Sequence, residues 1–215
     1  MANKNAHLIL LAKDGPELEA LDDYVKQKGA ECTMVPFDLQ HYPALDQLAA
    51  PFAERFVHLD HFISCAADLG PLMPTEQIPP AKWRLIIDIN LTANWQLLRV
   101  CSPLLERAKN GRVTFCTGTS LIGAFDAAYS TSKAGLNALL KTYAREKAHT
   151  KIRANLIDPG PMKTNLRKKA FEKDPLDTLP TPEEIAIKIL PYLQTGYQET
   201  GQYIEIPNQA RSTAP

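Results

Sequence analysis

The chain has 215 residues and 45% hydrophobic content, enough for one sizeable core and too little for two comfortable domains. Its 24 basic and 24 acidic residues give a formal net charge of zero, so no charge imbalance points to nucleic acid or a membrane surface. The four cysteines, Cys32, Cys65, Cys101 and Cys116, are widely spaced with no Cys-x-x-Cys pair; they read as reduced core thiols of a cytoplasmic protein, with no metal site.

In chain order, His7 to Ala12 is a short apolar run suited to a buried strand, and it is too short for a signal-peptide core or a membrane span. Asp14-Gly15-Pro16-Glu17 offers a helix N-cap with an acidic residue three later, after which Leu18, Leu21 and Val25 repeat at helical spacing until Gly29. Cys32 to Phe37 predicts a second strand ending at Asp38. A helical stretch, Leu45 to Phe56, leads into a third strand, Leu59 to Ala66. Leu69 to Pro80 holds four of the 17 prolines and is a loop. Helix Ala81 to Cys101, strand Arg112 to Thr117, the turn Gly118 to Gly123 and a long helix from Ala127 to Ala148 follow. Ile152 to Ile157 is a fifth strand, closed by Asp158-Pro159-Gly160-Pro161. The polar segment 162–180 is expected to be mobile, and its basic cluster, Lys163, Arg167, Lys168 and Lys169, reads as a solvated face. Helix Pro182 to Leu193 and strand Tyr203 to Ile206 finish the chain. Strands alternating with helices predict an α/β fold: a Rossmann-like, doubly wound parallel sheet of about six strands in a single domain, 1–215.

The residues just past the strand C-termini of such a sheet share one rim, where ligands bind. That rim collects Asp38, the Cys65-Ala66-Ala67 turn, the Gly118 to Ser120 turn and the Pro159-Gly160 turn. The long helix opens beside it with Tyr129-Ser130-Thr131-Ser132-Lys133. A tyrosine and a lysine four apart share a helix face. Such pairs arise by chance in many helices, but a nearby ammonium favours phenolate and would bring the tyrosine toward acid–base work near neutrality.

With these residues in view, the chain resembles the short-chain dehydrogenase/reductase superfamily. The resemblance rests on Tyr129 and Lys133, on Asn90 in Asp88-Ile89-Asn90-Leu91, on Asp38, and on Pro159-Gly160 with Thr164; Thr181 to Ile185 matches a further motif, and the whole spans roughly Leu8 to Pro207. It implies hydride transfer between a nicotinamide cofactor and a small carbonyl or alcohol substrate. Tyr129 would pass the proton, Lys133 would lower its pKa and hold the ribose, and Asn90 would anchor a relay water. Ser120 is the implied catalytic serine, although counting from Gly111 puts Gly118 at that place. Pro159, Gly160 and Thr164 would lie along the nicotinamide, with Asp38, Leu39 and Ala66 toward the adenosine. Lys13 matches a basic position that favours NADP over NAD. The resemblance also implies a homodimer or homotetramer built through helices 81–101 and 127–148, whose apolar residues (Leu91, Trp95, Leu98; Leu136, Leu139, Leu140, Tyr143) lie on more than one face.

The sequence departs from that pattern in definite places. The family's first strand, glycine-rich turn and helix are absent, so the chain reads as an N-terminally truncated member, or one whose start lies upstream of Met1. Strand Leu8 to Leu11 is then expected to pair directly with strand Leu59 to Ala66. Its following turn, Lys13-Asp14-Gly15-Pro16, offers phosphate one glycine and an acidic residue. Cys65-Ala66-Ala67 replaces Asn-Ala-Gly, and Asp158 replaces an asparagine. Two functional readings follow: an active NADP(H)-dependent oxidoreductase, and a catalytically impaired relative that serves as a binding or assembly protein without a dinucleotide.

Overall fold

A computed structural model of the chain describes residues 6–13, 15–118, 123–171 and 176–207. Strand β1 (His7–Ala12) runs into helix α1 (Pro16–Gln27), which starts with proline at its first positions and Gly15 as N-cap, without a side-chain cap. The expected cap, Asp14, lies outside the described residues. Strand β2 (Glu31–Pro36) ends at Asp38, whose carboxylate accepts the Gln40 amide and starts a kinked stretch of 3-10 turns, Leu39–Leu48, that continues into α2 (Ala49–Arg55). After β3 (His61–Ser64) and the proline loop come α3 (Pro80–Ile87), a π-helical turn (Asp88–Thr92) and α4 (Ala93–Arg107), which form one continuous helical rod. The chain closes with β4 (Arg112–Cys116), α5 (Ala127–Glu146), β5 (Arg153–Asp158), α6 (Asn165–Ala170), α7 (Pro182–Leu193) and β6 (Tyr203–Glu205). Segment 162–180 holds α6, and Lys163 within it pairs with Asp177 at 2.6 Å. Thr181 and Glu184 form a reciprocal capping box at the start of α7.

All strand pairs are parallel, but they form two sheets rather than one: β1–β2, and β3–β4–β5–β6. The direct pairing of Leu8 to Leu11 with the third strand, expected from sequence, does not form. Strand alternation shows what is left open. Ala6 and Ala12 carbonyls accept from β2, so the backbone groups of Ile9 and Leu11 point to the opposite edge. Asp60 accepts from Arg112 of β4, so those of Ile63 and Cys65 also point outward. Two edges of the same polarity thus border a seam with no strand between them among the described residues.

One helical layer holds the sheets together. Leu11 from β1 and Phe62 from β3 pack into a single cluster with Leu45, Ala93 and Leu97, and Ile9 packs with Phe52, Val100 and Leu104. The largest cluster joins α4, α5, β4 and β5 through Leu98, Phe115, Leu136, Leu140, Tyr143 and Leu156. Leu98, Leu136, Leu140 and Tyr143, named above for the oligomer faces, are buried in this core. Of the apolar residues expected there, Trp95 stays exposed (45%). On the other side of the sheets, α1 lies against β1 and β2, while α7 packs with Ile157 and Ile204 of β5 and β6.

Candidate active site

Tyr129 is the third residue of α5 and Lys133 stands one turn later, so helical geometry puts both on the face that meets the ends of β4 and β5. Both are buried, at 5% and 4% exposure. The Lys133 Nζ lies 5.7 Å from the centre of the Tyr129 ring and donates to the Cys116 carbonyl at 3.1 Å. Burial, with the carboxylates of Asp158 and Asp126, pushes the Tyr129 phenol up to about 12. The expectation that Lys133 draws this phenol toward neutrality is therefore not met: the ammonium is aimed at a carbonyl, and the charges that act on the phenol are the carboxylates of Asp158 and Asp126. Burial also draws Lys133 below its ordinary range.

Asn90 is fully buried in the π-helical turn, a distortion that often marks functional sites. Its Oδ1 accepts the Asp68 amide at 2.7 Å, and its Nδ2 donates to the Asp68 carbonyl at 2.8 Å and to Ser132 Oγ at 2.9 Å. Ser132 Oγ in turn donates to the Tyr129 carbonyl at 2.6 Å. Asn90 thus ties the loop after β3 to the second turn of α5, and both of its amide hydrogens are engaged. Its backbone carbonyl accepts from Asn94 Nδ2 at 2.8 Å, and Asn94 also accepts from Ser64 Oγ.

At the end of β5, Gly160 takes a left-handed φ of 71° that a side chain would strain, and its amide donates to Asp158 Oδ1 at 2.9 Å. The buried Asp158 also accepts from Tyr203 OH at 2.8 Å. Thr164 caps α6, its hydroxyl accepting the Arg167 amide at 3.1 Å. Ser120 lies outside the described residues. The neighbouring Thr117 hydroxyl donates to Asn137 Oδ1 at 2.6 Å, which commits that proton within the protein.

These residues surround one cleft of about 200 Å³ at the C-terminal ends of β3, β4 and β5: Tyr129, Lys133, Pro159, Gly160 and Thr164 line it together with Cys65, Cys116 and Asp158. A larger cavity of about 480 Å³ adjoins it across Ala67 and Leu166 and carries Lys82 and Lys169 on its walls. Lys13, Asp38, Leu39 and Ala66 do not line the cleft. Lys13 instead forms an ion pair with Asp38 at 3.1 Å, across the ends of β1 and β2. The Gln40 amide, then Lys13, holds the Asp38 carboxyl below its usual range.

As a seat for a dinucleotide the rim is uneven. The glycine at Gly160 and the Tyr129–Lys133 face suit a flat ring and a ribose. The turn after β1 supplies no run of glycine amides for a pyrophosphate among the described residues. No group of three or more metal-ligating side chains occurs among the described residues, and no helix among them is long and apolar enough to cross a membrane.

Sequence reasoning missed Ser132, Asp68 and the Cys65–Cys116 contact. Ser132 lies inside the quoted pentapeptide, but its partner Asn90 is 42 residues away. The two sulfurs are 51 residues apart in sequence and 3.3 Å apart in space. Of the four thiols expected in the core, Cys101 is buried, Cys32 and Cys116 are half-buried and Cys65 is exposed.

The chain is similar to known proteins along most of its length. It is 27% identical over 191 residues to the oxidoreductase YciK of Escherichia coli K12, covering 86% of this chain and 75% of the relative. Oxidoreductase UcpA of Salmonella typhimurium is 28% identical over 187 residues, covering 83% and 70%. In fold it is similar to a short chain dehydrogenase from Salmonella enterica serovar Typhi, with a TM-score of 0.84 at 24% identity over 92% of this chain and 84% of that one. A protein from Escherichia coli CFT073, solved in complex with NADPH, gives 0.83 at 24% identity, covering 92% and 85%. The family model for short chain dehydrogenases matches residues 1–175, and the chain belongs to that family.

Proposed function

We propose that this chain is a cytoplasmic oxidoreductase that moves hydride between NADP(H) and a small carbonyl or alcohol compound, with Tyr129 giving its proton to the carbonyl oxygen. The observation that carries this reading is the meeting of Tyr129, Lys133 and the Pro159–Gly160 turn in one cleft at the strand C-termini, where open α/β sheets bind ligands. The dinucleotide, when bound, would supply the hydride. The chain's own residues do the rest. A phenol held at about 12 keeps its proton at neutral pH, which suits a proton donor. Lys133 would hold the ribose, and Pro159, Gly160 and Thr164 would flank the nicotinamide. Lys13, Asp38, Leu39 and Ala66 would face the adenosine end. Asn90 fixes the height of the Asp68 loop against α5, and Ser120 is the proposed group that polarises the substrate oxygen. The NADPH complex of the Escherichia coli CFT073 protein supports NADP over NAD.

A second reading, an assembly or binding protein that takes no dinucleotide, is favoured by the Lys13–Asp38 ion pair and by the open seam between the sheets. Titration with NADPH and NADH, followed by the fluorescence of Trp83 and Trp95 and by calorimetry, decides between them. Saturable binding with NADPH preferred is expected; no binding of either at millimolar concentration would leave the second reading standing. We also infer a homodimer or homotetramer through helices 81–101 and 127–148, supported by the exposed Trp95. A strictly monomeric mass by light scattering would contradict it.

A further inference from the structure

Two thiols in the cleft have no part in the hydride chemistry. Continuing the β3–β4 register one step past Ser64 and Phe115 sets Cys65 opposite Cys116. Residues opposed in this way on neighbouring strands lie about 5 Å apart and point to the same face. That spacing falls inside the Cα separation of about 4.4–6.8 Å that a disulfide needs. The sulfurs already lie 3.3 Å apart, so bonding requires an approach of roughly 1.3 Å, within reach of side-chain torsion.

The two sulfurs are not equivalent. Cys65, the residue after β3, is exposed. Cys116 is half-buried behind it. The contact with the Cys116 sulfur and, after it, the Lys133 ammonium hold Cys65 down at about 7. Cys65 and burial together push Cys116 well up. Burial pushes Cys32 up to about 11, helped by Asp22, and Cys101 up to about 12. An exposed thiol that ionises near neutral pH beside a less exposed one held protonated is the arrangement of an attacking and a resolving sulfur, and a thiol with pKa near ambient pH attacks disulfides best.

We propose that Cys65 and Cys116 form a reversible thiol-oxidation site in the floor of the cleft, with Cys65 attacking, Cys116 resolving, and a small disulfide of the glutathione class as oxidant. In the first step the Cys65 thiolate attacks one sulfur of the oxidant, breaks its S–S bond and releases one thiolate. The Cys116 thiol then gives up its proton and attacks the Cys65 sulfur, forming the Cys65–Cys116 bond and releasing the second thiol. The pair loses two electrons, and the oxidant is reduced to one thiolate and one thiol that carries the Cys116 proton. The product pins the end of β3 to the end of β4 and removes the negative sulfur beside Lys133. Neither step needs a dinucleotide, so the proposal stands apart from the hydride-transfer reading.

The test uses the whole chain, incubated with oxidised glutathione at neutral pH, with free thiols counted and the modified cysteines located by peptide mass spectrometry. Two of the four thiols are expected to disappear into one Cys65–Cys116 cross-linked peptide pair and to return on reduction with dithiothreitol. Cys65 should react at least about tenfold faster than Cys32 or Cys101. The Cys116→Ser variant should stop at a glutathione mixed disulfide on Cys65, and Cys65→Ser should form no internal cross-link. A glutathione adduct that persists on wild-type Cys65 with Cys116 free, or a Cys65 no faster than Cys101, would overturn the proposal. Should either variant misfold, the location of the wild-type cross-link decides alone.

Discussion

The proton of Tyr129 is held by its surroundings rather than released by its neighbour. Burial comes first among the causes, and the carboxylates of Asp158 and Asp126 add to it. Replacing Asp158 with asparagine removes one of those charges while Oδ1 still accepts the Gly160 amide. The phenolate transition of Tyr129 should then fall in pH, read as ultraviolet difference absorbance against a Tyr129→Phe control. It should stay above 10 because burial persists. No movement would mean that the Asp158 charge is not felt at the phenol. Tyr129→Phe removes the proton donor with little change in shape, so turnover should drop by about 10²–10⁴-fold with dinucleotide affinity nearly intact. Unchanged turnover would show that the proton comes from elsewhere.

At the scale of elements, the site depends on how the helical rod from Pro80 to Arg107 meets α5. The π-helical turn carries Asn90 inward, where one amide side chain satisfies the backbone of Asp68 on the loop after β3 and the hydroxyl of Ser132 on α5. A buried amide with three partners leaves several unsatisfied groups when truncated. Asn90→Ala should cost about 1–3 kcal/mol in urea unfolding. A double-mutant cycle with Ser132→Ala should give a coupling above about 0.5 kcal/mol. Strict additivity would mean that the two side chains do not act as a unit. The neighbouring Gly70 has a φ of 70°, and a Cβ there would come within 2.6 Å of Ile86 Cγ1, so the loop is seated against α3 by shape as well as by hydrogen bonds.

For the molecule as a whole, the seam between β1 and β3 governs both order and access. The helical layer of Leu45, Ala93, Leu97, Val100 and Leu104 holds the two sheets on one side, while their facing backbone edges stay unpaired. Amide hydrogen exchange should show this directly. The amides of Ile9, Leu11 and Ile63, pointing into the seam, should exchange much faster than those of Leu10, Phe62 and Ser64, which face β2 or β4. Equal protection on both sets would mean that the seam is closed in solution. Cys65, just past β3, is exposed while Cys116 stays half-buried.

Much of the fold was legible because its signals are local. The β1 span, the capping box at Thr181 and Glu184, the positions of α5 and α7 and the parallel alternation all follow from runs of a few residues whose periodicity or capping chemistry acts within one or two turns. The family resemblance likewise rested on short motifs, and five of the residues it named, Tyr129, Lys133, Pro159, Gly160 and Thr164, line one cleft. What the sequence did not determine depends on approach across long separations. The division into two sheets reflects whether β1 and β3, far apart in sequence, come within hydrogen-bonding distance, which is set by the helical layer packed across one side of both. The Tyr129 pKa depends on which charges burial leaves nearby, and the Cys65–Cys116 contact on the register of β3 against β4. Only the tertiary structure decides these, because Coulomb and contact interactions act through space and not along the chain.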